Sequence, residues 1–101
     1  SQNSAVPLAL YSKENASSVK NTYEILGDQR MRHVVTTALG LPLQLANQSV
    51  EAQAAAIEKR LKLSDLKDGK FVDKLAQRFL MASDDGRSST GSNKYVLNLF
   101  A

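Results

Sequence analysis

The chain has 101 residues, 43% hydrophobic and 23% charged, with a formal net charge of +3, which is ordinary globular composition with room for one modest core. It has no cysteine and a single histidine, so disulfides, thiol nucleophiles and multi-histidine zinc sites are excluded together. No apolar run approaches the roughly 18 residues of a membrane span, and Ser1-Gln2-Asn3-Ser4-Ala5-Val6 shows neither the basic nor the apolar region of a signal peptide.

Leu8, Ala9, Leu10 and Tyr11 do not decide between helix and strand. Val19, Tyr23 and Leu26 then fall at i, i+4 and i+7, one face of a short helix over 18–26. Ser17 or Ser18 is placed to cap it, and Gly27 to end it as a left-handed residue. Asp28 restarts the chain as an N-cap. Met31, Val34, Val35, Ala38 and Leu39 form the apolar stripe of a helix over 28–39. Gly40 supplies its stop in a positive-φ conformation, and Pro42 prevents continuation.

Leu43 to Gln48 has room for one or two turns, and Ser49 reads as the next cap. Val50, Ala54, Ile57 and Leu61 form a regular stripe over 50–62, with Glu58 and Lys62 as an i, i+4 pair. Leu63 to Gly69 is a turn region, and Asp68 or Gly69 opens a helix over 70–82. Its apolar face carries Phe71, Val72, Leu75, Ala76, Phe79 and Leu80. Residues 83–93 have the composition of an exposed loop. Lys94-Tyr95-Val96-Leu97-Asn98-Leu99-Phe100-Ala101 is apolar and needs a place to bury itself.

No group of residues announces chemistry. His33 has neither a nucleophile nor an orienting partner visible in sequence. Asp84-Asp85-Gly86 lacks the alternating ligands and closing glutamate of a calcium loop. Asp65 and Asp68 read as capping residues, and the five glycines never cluster as a phosphate loop requires. The sequence pI of about 9.3 rests on scattered cations. The densest groups, Arg30-Met31-Arg32-His33 and Lys59-Arg60-Leu61-Lys62, sit on helices beside acidic neighbours and read as solvated faces.

The run from Asp28 to Pro42, DQRMRHVVTTALGLP, resembles the central signature of a bacterial family, domain of unknown function 1217. A second similar stretch is Arg60-Leu61-Lys62-Leu63-Ser64-Asp65-Leu66-Lys67-Asp68, followed by Phe71, Leu75 and Phe79. Leu10-Tyr11-Ser12-Lys13 and the Val19 to Leu26 segment fit as well, so the resemblance covers about residues 8–82. It implies a helical unit, carried in tandem by some members, with several genes lying among flagellar genes. It supplies no catalytic or ligand residue to carry across.

The expected fold is all-α, a small orthogonal bundle of four to five short helices around Val35, Leu39, Ile57, Leu61, Leu75 and Phe79. Residues 1–82 are the expected helical domain, 83–93 a linker and 94–101 an apolar segment. That segment completes the core, meets a partner or opens a further element of a longer chain. The expected function is a non-enzymatic interaction or structural module without cofactors, cytoplasmic or exported to the flagellum, whose partner is a protein or a second copy. Tyr95, Val96, Leu97, Leu99 and Phe100 are its candidate interaction residues. The alternative is a basic helical module binding nucleic acid through Arg30, Arg32, Lys59 and Lys62.

Overall fold

The computed structural model describes residues 4–83. They contain five α-helices: α1 (Ala5–Asn15), α2 (Thr22–Gly27), α3 (Gln29–Ala38), α4 (Val50–Glu58) and α5 (Gly69–Ala82). Three short 3₁₀ turns join them, at Ala16–Ser18, Leu43–Asn47 and Leu63–Lys67. No strand occurs among the described residues, so the expected all-α class holds.

The helix starts follow capping chemistry. Asp28 Oδ1 accepts from the amides of Arg30 (3.0 Å) and Met31 (3.3 Å), Ser49 Oγ from Ala52 (3.1 Å) and Asp68 Oδ1 from Lys70 (3.0 Å). Each satisfies an amide that the first helical turn leaves without a partner. Asp65 does not cap: it lies inside the Leu63–Lys67 turn, which has no side-chain cap.

Five local expectations need correction. The second helix begins at Thr22, not residue 18, because Ala16–Ser18 closes its own 3₁₀ turn and Val19 is extended (ψ 124°). Asn21, rather than Ser17 or Ser18, caps it by accepting from the Glu24 amide at 3.0 Å. Its buried face is Thr22, Ile25 and Leu26, leaving Tyr23 exposed. Gly27 is not left-handed; the chain passes through it into the extended Asp28, and Gly40 alone of the described residues has positive φ. The fourth helix ends at Glu58, not residue 62. Glu58 there accepts from the Thr22 hydroxyl at 2.7 Å.

The undecided segment after Ser4 is a helix. Pro7 is tolerated because it lies in the first turn, where its missing N–H would have no helical partner. The α1 helix buries Ala5, Ala9 and Ser12, and its small residues let it lie close against α3 and α5.

The core has two parts. One gathers Ile25, Leu26, Met31, Val35, Ile57, Leu61, Leu66, Val72 and Leu75. The other gathers Ala5, Ala9, Val34, Ala76, Phe79 and Leu80. The α3 and α5 helices feed both, Val34 facing one part and Val35 the other. Five of the six expected core residues are buried, and Leu39 packs half-buried against the first part.

Candidate interaction surface

The expected contact residues Tyr95, Val96, Leu97, Leu99 and Phe100 lie outside the described residues. Among the described ones, the most exposed large apolar side chain is Leu43, at the corner that follows α3.

That corner is built by its glycine. Gly40 has φ +71°. Its amide donates to the Thr37 carbonyl at 3.1 Å, and the Leu41 amide to the Thr36 carbonyl at 3.0 Å. This paired closure is the Schellman motif, and a residue without a Cβ adopts its left-handed step at least cost. Leu41 then tucks back against the core beside Val35. Pro42 is extended (ψ 151°), so the chain leaves the helix axis at once.

The Leu43–Asn47 turn that follows is anchored on one side only. Leu45 is buried, whereas Leu43 is 91% exposed. Gln53 from α4 ties the turn down, its amide nitrogen donating to the Gln48 carbonyl at 2.8 Å and the Ala46 carbonyl at 3.4 Å. An isobutyl group is therefore held out in water by backbone that is itself fixed.

Beside it runs a groove of about 270 Å³ between this corner and the outer face of α3. Its apolar lip is Leu41, Pro42, Leu43 and Leu45; its polar wall is Gln29, Arg32, His33, Thr36 and Thr37. No carboxylate lines it. Arg32 reaches the Leu26 carbonyl at 3.4 Å, and the His33 ring stands edge-on to buried Phe79 (centroids 5.5 Å, 84°). A second shallow hollow on the other side of Leu45 is lined by Ala52, Ala55, Ala56, Lys59 and Arg60.

The other end of α3 is locked to α1. The Tyr11 hydroxyl donates to Asp28 Oδ2 at 2.5 Å, and the Arg30 guanidinium lies over the Tyr11 ring, 3.9 Å from its centre. The hydrogen bond to Asp28, helped by desolvation, raises the Tyr11 phenol above its ordinary range. Desolvation pushes the Asp28 carboxyl up. The bonds from Tyr11 and the Met31 and Arg30 amides, with the Arg30 charge, outweigh it and hold the group below its ordinary value.

Arg30, Arg32 and His33 each touch the fold, Arg30 on Tyr11, Arg32 on a helix-end carbonyl and His33 against Phe79, while all three residues stay exposed. Asp73 pairs with Lys13 at 3.1 Å on the surface. No group of three acidic or histidine side chains among the described residues could hold a metal ion, and none of their helices is long and apolar enough to cross a membrane.

The family model described as "Protein of unknown function (DUF1217)" matches residues 1–72. The chain belongs to that family. No curated protein and no solved structure matches it. The matched segment stops at Val72, the first buried residue of α5, yet Leu75, Ala76, Phe79 and Leu80 beyond it complete both parts of the core. The folded unit thus outruns the matched segment by most of a helix.

Proposed function

We propose that this family member is a non-enzymatic interaction module whose contact face is the Gly40–Asn47 corner and the groove beside it. Leu43, 91% exposed on a fixed turn, carries the reading. A single exposed leucine is ordinary, but Leu43 adjoins the apolar lip of Leu41, Pro42 and Leu45, and contiguous apolar surface marks protein contacts. The polar wall of the groove suits anchoring, not bond-making: Arg32, Thr36 and Thr37 offer donors and acceptors, and His33 sits against a phenyl ring with no carboxylate beside it. The family resemblance makes the flagellum the first setting in which to look for a partner. Tyr95, Val96, Leu97, Leu99 and Phe100 are proposed as a second contact element. The stacking of Arg30 on Tyr11 weighs against nucleic acid, because it engages one of the expected phosphate-binding cations with a ring while leaving it exposed.

A photo-crosslinking side chain at position 43, in the organism's own cells, tests the reading. The expected result is a discrete protein adduct. In parallel, Leu43→Ser leaves the dilute chain's unfolding free energy within ~0.5 kcal/mol of the parent, as for an uncovered side chain. A nucleic-acid adduct overturns the reading, as does a loss above ~1 kcal/mol, which would mean that the chain covers Leu43 itself.

A further inference from the structure

The α1 helix carries a surface that the fold does not use. Its first two turns, Ala5-Val6-Pro7-Leu8-Ala9-Leu10, are apolar around the whole circumference. A helix of that kind ordinarily has contacts on every side. Here Ala5, Ala9 and Ser12 face the core, while Val6 and Leu10 point away from it, 44% and 53% exposed. Glu14 continues the same outward row at i, i+4, i+8, and it is exposed with no ion pair among the described residues. The row is a ridge about 12 Å long, by the helical rise of 1.5 Å per residue, apolar for two positions and anionic at the third.

The groove beside Leu43 has the opposite character. It is concave, apolar along one lip and cationic along the other through Arg32, with no carboxylate in its lining. At about 270 Å³ it is smaller than the usual ~300–1,000 Å³ of a small-molecule site, and suits one or two inserted side chains. Two such grooves cannot face each other across a two-fold axis without setting Arg32 against Arg32. The occupant must bring apolar side chains followed by a carboxylate.

Resting on the interaction reading above, we propose that the occupant is a second copy of this chain, whose α1 ridge inserts Leu10 beside Leu43 and Pro42 and sets Glu14 against Arg32. The contact proposed is head-to-tail, one ridge to one groove, as distinct from a two-fold dimer in which both contacts form reciprocally. A head-to-tail dimer keeps one free groove, on one copy, and one free ridge, on the other, so assembly grows past the dimer until it closes into a ring or continues as a filament.

Full-length chains at rising concentration, followed by sedimentation velocity, test this. The parent is expected to form a series of species rather than to stop at a dimer. Leu43→Asp and Leu10→Asp each abolish the series, the first by spoiling the groove and the second by spoiling the ridge. Mixed together, they form a dimer and nothing larger, because only one intact groove and one intact ridge remain. Glu14→Arg weakens assembly by roughly tenfold or more, and Arg32→Glu in the same chain restores it. A parent chain that stays monomeric or stops at a dimer, or a Leu43→Asp/Leu10→Asp mixture that stays monomeric, overturns the head-to-tail proposal. So does a series that Leu43→Asp and Leu10→Asp leave intact, or one that Leu97→Ser and Phe100→Ser abolish. Those failures leave the protein adduct at position 43 intact; loss of that adduct is a separate result that removes the interaction reading.

Discussion

Two corners of this molecule are built to one plan and end differently. After α3 and again after α4 the chain makes a short turn, runs extended for two residues, winds a five-residue 3₁₀ turn and enters the next helix through a capping side chain. Leu43 opens the first 3₁₀ turn and Leu63 the second. Leu63 is half-buried against the core, Leu66 in the same turn is buried, and the turn packs on α5 and on the Ala16–Ser18 turn. The Lys67 ammonium also donates to the Ser17 carbonyl at 3.1 Å. Leu43 is exposed, and its turn has no comparable neighbour among the described residues. Local chemistry sets the shape of both corners, whereas what lies across from them decides whether their leucines stabilise the monomer.

The comparison can be broken most sharply at Leu66. Leu66→Ala should cost about 2–5 kcal/mol in denaturant unfolding, because it empties a fully enclosed site. A cost below ~1 kcal/mol would erase the distinction from Leu43. Next comes the glycine that only the first corner has. A Cβ at Gly40 would meet nothing within 4 Å, so Gly40→Ala tests backbone conformation alone. It should destabilise by about 1–2 kcal/mol, whereas Arg60→Ala, at the corresponding point of the second corner, should change little.

The first corner also depends on α3 being held at its other end, and pH can release that end in two directions. Asp28 is depressed on folding, so its contribution is present above its ordinary 3.8 and is lost as pH falls through the lower folded value. Tyr11 is raised, so its contribution is present below its ordinary 10.0 and is lost as pH rises through the higher folded value. Thermal melts across pH should decline at both edges. Tyr11→Phe should remove its own share of the alkaline decline and shrink the acid one; an unchanged profile would show that the pair does not hold the helix. The smallest expected effect is Lys67→Ala, within ~0.5 kcal/mol, since an exposed strap adds little to a corner already packed.

The sequence makes the strongly two-faced elements legible. The α3 and α5 helices separate polar from apolar residues cleanly; Asp28 and Gly40 bound α3, Asp68 opens α5 and Ser49 opens α4, by chemistry that acts within four residues. The α1 helix is ambiguous because it lacks a polar side over its first two turns, so no period stands out. Tyr23 and Val50 fit a stripe but are exposed. Thr22 is buried in Tyr23's stead because Glu58, 36 residues away, accepts its hydroxyl, a partner invisible to any local window. The groove is hidden for the same reason: Arg32 and His33 come from one helix and Pro42 and Leu43 from the next turn, and only the left-handed step at Gly40 sets them on one face. Leu43 itself reads as an ordinary apolar residue until its surroundings are known.

The adjacent valines of α3 have a kinetic consequence. Because Val34 packs in one part of the core and Val35 in the other, displacing α3 exposes both parts at once. Partial unfolding by halves is thereby suppressed, and the amides of this one short helix should exchange with solvent only through the global opening of the chain.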